Sequence, residues 1–371
     1  MSKLPNIQIL RAVAASAVVL YHSGIETTSV CVGTNRDCSI DVWTGGYGVG
    51  LFFVISGFIM VATSWNSFGQ PGAALDFMRR RINRIVPLYW LLTTFAVVGV
   101  FFVPTMLNVP VLDPAYVAAS YLFWPITRVN GLVRPIANLG WTLNLEMMFY
   151  VVFALALPFS RRLGLKIAML FLSLFTLVQM TDVFAPEGML HSIPLNFWAD
   201  PIILNFIFGM GFAVLYKHGT RFNALESLML IGLSCATSVV AYEYNDMLNT
   251  YPESHFISRM ASAIPPMFLF VAAAMGPQVD VNRKLWQVGL LIGDASYSLY
   301  LIHPFLLRAF SKLWIKFVGT HLPAWDFTLV CPFMALAGGL CCYYLAERPF
   351  AALFNTTRRR TSAAPQMSPG V

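Results

Sequence analysis

The chain has 371 residues, of which 57% are hydrophobic and only 11% are charged. Soluble domains carry about 25% charged residues, so this composition excludes a soluble globular protein and indicates a polytopic membrane protein. The net charge of +7 does not indicate nucleic-acid binding, because the Lys and Arg residues form short clusters between apolar segments.

The apolar segments predict an all-α, polytopic transmembrane helical bundle of about ten spans with both termini cytoplasmic. The predicted spans cover residues 7–23, 47–65, 85–103, 140–159, 166–182, 196–216, 224–243, 257–275, 287–310 and 327–345. This orientation places each cluster of Lys and Arg on the cytoplasmic side, as the positive-inside bias requires. We expect residues 1–350 to form the transmembrane domain and 351–371 a basic, disordered cytoplasmic tail.

Two connecting regions carry predictions of their own. Residues 24–46 form a polar loop in which Cys31 and Cys38 either pair as a disulfide, if the loop faces an oxidising compartment, or stay as thiols. Residues 113–127 are apolar but short, which predicts an interfacial or re-entrant piece rather than a span. The six cysteines show no metal-ligand spacing, so we predict no metal site.

The first predicted span carries two ionisable side chains, Arg11 and His22. A separation of eleven residues puts both on one face of a helix, about 16 Å apart along its axis. Because a charge facing lipid costs several kcal/mol, this face must turn toward protein or water. His22 is a candidate general base, and the alternative is a packing residue that donates one hydrogen bond. Arg11 either belongs to the same site or extends its side chain to the cytoplasmic interface.

Glu146 lies in the fourth predicted span, at a depth close to that of His22. An intramembrane carboxylate is by default a candidate functional residue. An imidazole and a carboxylate at one depth suit a general base and the group that orients it. We therefore predict that Glu146 and His22 act together.

The basic loop before the third span ends in RRRINR, with Arg79, Arg80, Arg81 and Arg84. These side chains either anchor the protein and contact anionic lipids, or clamp the phosphates of a phosphorylated cofactor.

The second and ninth spans contain small or polar residues. Gly48, Gly50 and Gly57 make one side of the second span small, either for close helix packing or as a slot for a slender substrate. The ninth span contains GDASYSLYLIHP, which combines a stripe of Ser and Tyr with a second intramembrane imidazole, His303.

Six stretches, in the same order along the chain, resemble the acyltransferase-3 family of bacterial inner-membrane O-acyltransferases. They are Arg11 with His22, GVGLFFVISGF at 48–58, RRRINRIVPLYW at 79–90, WTLNLEMMFY at 141–150, GDASYSLYLIHP at 293–304, and ERPF at 347–350. The family's usual pair of adjacent Glu residues is here Glu146 followed by Met147, which leaves the role of a second carboxylate open.

The resemblance implies a multi-pass enzyme of the bacterial inner membrane that moves an acyl group, usually acetyl, from cytoplasmic acyl-CoA to a carbohydrate hydroxyl. The acceptor would be an exopolysaccharide, a lipopolysaccharide or another envelope glycan. It also implies no permanently bound cofactor, contact with membrane lipid, and no nucleic-acid partner; the oligomeric state stays open. In this reading His22 deprotonates the hydroxyl, and Glu146 either orients His22 or contacts the acceptor. The implied site comprises His22, Glu146 and Arg11 for catalysis, Arg79, Arg80, Arg81 and Arg84 for acyl-CoA, and Trp141, Tyr150, Ser296, Tyr297 and His303 for substrate.

Two other classes of function remain open at the level of sequence. A transporter that exports a glycolipid or an acyl compound would use the intramembrane ionisable residues as a proton relay. The chain has no internal repeat, which argues against this reading. A non-catalytic scaffold or receptor would use the polar stripes for helix packing. Within the enzyme reading, an acyl-enzyme on Ser or Cys remains an alternative to direct transfer.

Overall fold

The computed structural model describes residues 4–36, 45–102, 113–128, 131–179, 191–249, 255–319 and 324–353, with positions 181, 183, 187, 189 and 321. Its helices are α1 (Pro5–Gly33), α2 (Gly45–Ser64), α3 (Ala73–Phe102), α4 (Pro114–Tyr121), α5 (Gly140–Ala156), α6 (Arg161–Gln179), α7 (Ile193–Trp198), α8 (Leu204–Lys217), α9 (Ala224–Asn249), α10 (His255–Met275), α11 (Lys284–Asp294), α12 (Ser296–Phe317) and α13 (Ala324–Cys342). A 3-10 turn, Pro201–Ile203, precedes α8, and a π-helical turn, Tyr343–Glu347, follows α13. An isolated bridge joins Thr127 to Val133. The predicted all-α class is confirmed.

Six helices in the described part are long and apolar enough to cross a membrane, or seven if α11 and α12 count as one bent span. Three shorter apolar helices, Gly140–Ala156, Pro201–Lys217 and Ala261–Met275, coincide with the fourth, sixth and eighth predicted spans. A multi-pass membrane protein is therefore confirmed. The number of ten spans and the cytoplasmic position of the termini stay predictions.

Two helix boundaries differ from the prediction. α1 continues to Gly33, so the first part of the predicted polar loop is helical and Glu26 lies one turn after His22. α3 begins at Ala73, so RRRINR is also helical rather than part of a loop. Both errors have one cause, since a polar sequence next to an apolar span can extend the helix beyond the membrane core.

The region predicted to be interfacial or re-entrant contains a short helix, α4. Its eight residues span about 12 Å, which is too short for a bilayer crossing. Asp113 caps its N-terminus by accepting a hydrogen bond from Ala115 N at 3.0 Å. Tyr89 and Trp90 of α3 donate to the carbonyl oxygens of Ser120 and Tyr121, at 2.8 and 2.9 Å. These bonds hold α4 against α3.

The sequence predicted one continuous helix for the ninth span, but the structure has two helices there. α11 and α12 meet at Ala295 with a bend of 71°. A Cβ atom at Gly293 would overlap the backbone of Gln8, so glycine is required where α11 approaches α1. On the other side of the bend, the Glu347 carboxylate accepts hydrogen bonds from Ser298 N at 3.2 Å and from Ser298 Oγ at 2.5 Å. The ERPF stretch therefore stabilises the first turn of α12.

Close helix packing explains one of the small residues on α2, Gly57. A Cβ atom at Gly57 would overlap the carbonyl oxygen of Phe206 in α8. Phe206 is fully buried and stacks on Phe149 of α5, with ring centroids 4.1 Å apart. α2, α5 and α8 thus share one apolar core, and the packing reading of Gly57 is confirmed.

The described cysteines include both free thiols and a disulfide, and of the free thiols Cys331 is buried whereas Cys235 and Cys341 are exposed. Cys235, Cys331, Cys341 and Cys342 carry free thiols. Cys31 is disulfide-bonded. Cys38, the partner suggested by the sequence, lies outside the residues that the structure describes.

Candidate active site

A cavity lies between α1, α2, α3, α5 and α12, and we call it the arginine cavity. Its polar lining consists of Arg11, Ser56, Arg81, Arg84, Thr142, Glu146, Tyr150, Ser296, Tyr297 and Tyr300. Its empty volume is about 760 Å³, including space open to the surroundings. Three guanidinium groups face one carboxylate here, so the described walls carry an excess of positive charge. Such a lining favours an anionic ligand.

Glu146 is held by two hydroxyl groups from neighbouring helices. Ser56 Oγ of α2 donates to Glu146 Oε1 at 3.1 Å. The Tyr150 hydroxyl, one turn further along α5, donates to the same oxygen. These bonds fix the carboxylate at the wall of the arginine cavity and join α2 to α5.

The predicted cationic cluster divides between the cavity and the surface. Arg81 and Arg84 line the arginine cavity, whereas Arg79 and Arg80 are exposed and are not part of its lining. The Arg81 guanidinium lies over the rings of Phe77 and Tyr150, 5.4 and 5.8 Å from their centroids. Its buried Nε has no acceptor among the described residues. Arg81 is thus held by two aromatic rings and keeps a donor available inside the site.

Two further polar groups of the cavity come from α1 and from the start of α12. Arg11 is only 9% exposed, and its Nη1 donates to Gln8 Oε1 at 3.3 Å. Ser296 is fully buried, and its Oγ has no hydrogen-bond partner within the described chain. Both side chains lie where a bound anion would satisfy their donors.

The two predicted imidazoles meet at the contact between α1 and α12. His303 Nε2 lies 3.4 Å from His22 Nδ1, and the ring centroids are 5.1 Å apart. Each ring also places its Nδ1 near a carbonyl oxygen one turn back, at 2.9 Å for His22 and Val18 and at 3.0 Å for His303 and Leu299. Because a carbonyl only accepts, this network assigns the proton to Nδ1 in both neutral rings. His22 Nε2 is then unprotonated, as a general base requires.

A profile of the acyltransferase domain matches residues 4–347 of this chain, which contain all of the side chains above. The chain belongs to the acyltransferase-3 family. The family resemblance and the prediction of an acyltransferase enzyme are therefore confirmed, which favours the enzyme over the transporter and the scaffold.

The names of individual relatives of this acyltransferase refer to exopolysaccharide production and to O-acetyl transfer. The exopolysaccharide production protein ExoZ of Rhizobium meliloti is 30% identical over 314 residues, or 82% of this chain and 89% of ExoZ. The peptidoglycan O-acetyltransferase OatA of Listeria monocytogenes is 29% identical over 201 residues, which cover 49% of this chain and 29% of OatA. The O-acetyltransferase OatA of Staphylococcus aureus is 23% identical over 323 residues, 81% of this chain and 50% of that protein. The match therefore spans most of ExoZ but half or less of either OatA. No solved structure matches the chain.

In the acyltransferase structure, His22 and Glu146 do not hydrogen-bond to each other, contrary to the pairing that the sequence suggested. His22 bonds to Val18 and His303, whereas Glu146 bonds to Ser56 and Tyr150. The place of an orienting partner for His22 is thus taken by a backbone carbonyl and a second imidazole. Glu146 belongs instead to the wall of the arginine cavity.

The acyltransferase's predicted substrate residues fall into three groups. Tyr150, Ser296 and Tyr297 line the arginine cavity, and the Tyr297 hydroxyl donates to Ile85 O at 2.7 Å. Trp141 instead packs under Arg134, whose guanidinium carbon lies 4.4 Å from the ring centroid. His303 is fully buried beside His22.

Sequence reasoning missed one carboxylate near the histidine pair, Glu26. Its Oε1 accepts from Arg308 Nη1 at 3.2 Å and its Oε2 from Ser311 Oγ at 2.8 Å. The available signal was the spacing of four residues from His22, which puts both side chains on one helical face. Because the prediction placed residues 24–46 in a loop, this spacing was not applied to Glu26.

Tyr300 lies between the arginine cavity and the histidine pair. Its hydroxyl is 2.9 Å from Thr142 Oγ1, and its ring centroid is 6.1 Å from that of His303. Both Tyr300 and Thr142 line the arginine cavity. This hydrogen-bonded pair therefore forms the part of the wall next to the candidate base.

Proposed function

We propose that this acyltransferase transfers an acyl group, in the first instance acetyl, from acyl-CoA to a hydroxyl group of an envelope or secreted carbohydrate. We place it in the inner membrane of a bacterium, with acyl-CoA entering from the cytoplasm. The observation that carries the proposal is that Tyr300, in the wall of the arginine cavity, has its ring centroid 6.1 Å from that of His303 in the histidine pair. The similarity to ExoZ, an exopolysaccharide production protein, and to the Listeria OatA, a peptidoglycan O-acetyltransferase, supports a carbohydrate acceptor.

The donor would bind in the arginine cavity. Arg81, Arg84 and Arg11 are suited to the phosphates of coenzyme A, because guanidinium groups bind phosphate oxygens with paired hydrogen bonds. Ser296 Oγ and Arg81 Nε, which have no partner in the described structure, offer further donors. With the phosphates held here, the thioester would lie toward Tyr300 and Thr142, next to the histidine pair.

His22 would act as the general base. Its Nε2 takes the proton of the acceptor hydroxyl while the oxygen attacks the thioester carbonyl carbon. Collapse of the tetrahedral adduct breaks the C–S bond and releases the coenzyme A thiolate, which takes the proton back from His22 to give the free thiol. His303 would keep the proton of His22 on Nδ1 throughout, by offering its own Nε2 as an acceptor.

Direct transfer is the route that we propose. Within the described chain, His22 hydrogen-bonds only to Val18 O and His303, so no Ser, Thr or Cys side chain is placed against it as a nucleophile. An acyl-enzyme would need such a pair within hydrogen-bond distance. The acceptor hydroxyl itself is then the group that His22 activates.

Two measurements test the function. Mass spectra of surface glycans from cells with and without this protein are expected to differ by one or more acyl groups, which identifies both the group and the acceptor. The purified protein, given radiolabelled acetyl-CoA and that glycan, is expected to transfer the label. His22→Gln should lower kcat by at least about a hundredfold. Identical spectra, or equal transfer by the wild type and His22→Gln, would overturn the proposal or the base assignment respectively.

A further inference from the structure

A second cavity, which we call the distal cavity, lies on the other side of the histidine pair. Along α1 the order is Arg11, His22, Glu26; Arg11 lines the arginine cavity, Glu26 lines the distal cavity, and His22 lines neither of these two. Along α12, Tyr300 lines the arginine cavity and Arg308 lines the distal cavity, with His303 between them. On both α1 and α12, the histidine therefore lies between a residue of the arginine cavity and a residue of the distal cavity. The histidine pair separates the two cavities.

The distal cavity has charged and amide groups set in a mostly apolar wall. Its empty volume is about 1120 Å³, including space open to the surroundings. Its charged and amide-bearing lining residues are Glu26, Arg128, Asn138 and Arg308. Glu26, which lines this cavity, lies one helical turn after His22 on the same face of α1, so the distal cavity and the candidate base are neighbours along this helix.

The charges of Glu26 and Arg308 neutralise each other in an ion pair. Their ion pair is 3.2 Å long, and the side chains are only 13% and 29% exposed, respectively. Ser311 Oγ satisfies the second oxygen of the Glu26 carboxylate. This part of the wall therefore contributes oriented hydrogen-bonding groups but no net charge.

The positive charge of Arg128 is not neutralised by any carboxylate among the described residues. Its Nε donates to the Tyr116 hydroxyl at 2.6 Å and to Arg134 O at 3.3 Å, while its Nη2 donates to the carbonyl oxygens of Pro135 and Ile136. All of these acceptors are uncharged, and Arg128 forms no ion pair with a described residue. Its Nη1 donates to none of them either. The structure thus fixes a full positive charge at the wall of the cavity with one nitrogen unused.

We propose that the distal cavity binds the acceptor carbohydrate and that Arg128 binds an acidic group on it, such as the carboxylate of a uronic acid. This inference rests on the proposed function, and it adds the chemical class of the acceptor. Of the three charged side chains that line the cavity, two are cationic and one is anionic, which leaves one positive charge. A carboxylate on the acceptor neutralises that charge and forms a charge-assisted hydrogen bond with Nη1. The Asn138 amide and the Glu26 carboxylate are suited to sugar hydroxyls.

The experiment measures saccharide binding to the purified full-length protein in detergent, with no acyl donor present. The two probes are a galacturonic acid tetramer and its fully methyl-esterified form, which keeps the hydroxyls and loses the charges. The wild type is expected to bind the acidic tetramer about tenfold more tightly than the ester. Arg128→Gln should bring this ratio close to one, and Arg128→Lys should retain part of it. Arg283→Gln, whose wild-type side chain is 76% exposed, is the matched control and should keep the full ratio.

Each outcome decides one point. Equal binding of the two tetramers by the wild type, binding of neither, or an unchanged ratio in Arg128→Gln would overturn the inference. Acetyl-CoA affinity, which should equal that of the wild type, reports whether Arg128→Gln folds. If that variant does not fold, the wild-type ratio and the partial ratio of Arg128→Lys decide. Acid-selective binding without acyl transfer would refute the proposed function alone, while transfer without acid selectivity would refute this inference alone.

Discussion

His303 Nε2 lies 3.4 Å from His22 Nδ1, across a sequence separation of 281 residues. The two rings lie on α1 and α12, and each donates its Nδ1 proton to the carbonyl four residues earlier. An imidazole that accepts at this position favours one tautomer of its neighbour. His303 is therefore a positioning residue for His22 in our proposal, a role that differs from the substrate contact expected from the sequence.

Replacing His303 should affect turnover and not donor binding. His303→Ala removes the acceptor that faces His22 Nδ1, so we expect kcat to fall by about tenfold or more, the effect of one lost hydrogen bond. The KM for acetyl-CoA should stay within a factor of two of the wild-type value, because His303 does not line the arginine cavity. Steady-state kinetics over a range of acetyl-CoA concentrations measure both values.

The control for this experiment is His303→Asn, which retains a polar side chain that can face His22. It should recover part of the lost kcat. An increase in KM with unchanged kcat would instead support the substrate-binding role of His303.

Arg81 and Arg79 provide a matched pair on one helix. Arg81→Gln removes a guanidinium from the arginine cavity, so the affinity for acetyl-CoA should fall by about tenfold, since a charge-assisted hydrogen bond contributes about 1.5–3 kcal/mol. Arg79→Gln removes an exposed guanidinium from the same helix and should leave the affinity unchanged. Binding of acetyl-CoA to the purified variants is measured by calorimetry. If both variants bind as the wild type does, the cluster serves only as a membrane anchor.

The ion pair of Glu26 and Arg308 should couple α1 to α12. Glu26→Gln and Arg308→Gln each leave a partly buried charge unpaired, so each is expected to destabilise the protein by about 1–2 kcal/mol. The double variant should lose less than the sum of the two single changes, because it leaves neither charge behind. Thermal unfolding of the wild type and the three variants in detergent measures the stability changes of this double-mutant cycle. Additive losses would mean that the pair contributes nothing beyond its separate side chains.

Gly57 tests the helix packing beneath the site. Gly57→Ala places a methyl group against the carbonyl oxygen of Phe206, so we expect a loss of about 1–3 kcal/mol of stability. Gly99→Ala is the matched control, because outside its own helix backbone and chain neighbours no atom of the described residues lies within 4 Å of the added Cβ. It should be neutral or stabilising, since alanine has a higher helix propensity than glycine. Thermal unfolding measures both variants, and equal stability of the two would show that α2 and α8 do not pack as described.

Much of the fold could be predicted from the sequence, because hydrophobic periodicity determines which segments are helical and which side chains share a face. Arg11, His22 and Glu146 were identified in this way as polar groups within apolar helices. Helix ends were less predictable, since α1 and α3 both continue into polar sequence. The bend at Ala295 was also missed, because it depends on contacts with Gln8 and Glu347 that are remote in sequence.

By itself, the sequence determined that this protein is a helical membrane protein, that it belongs to an acyltransferase family, and that His22 shares a helical face with Arg11. Only the tertiary structure decided that His22 faces His303, that Glu146 is held by Ser56 and Tyr150, and that Arg81 rather than Arg79 reaches the cavity. The physical reason is that periodicity defines faces within one helix. Which faces meet depends on close contacts between distant helices, such as that of Gly57 with Phe206, and no local pattern encodes these contacts.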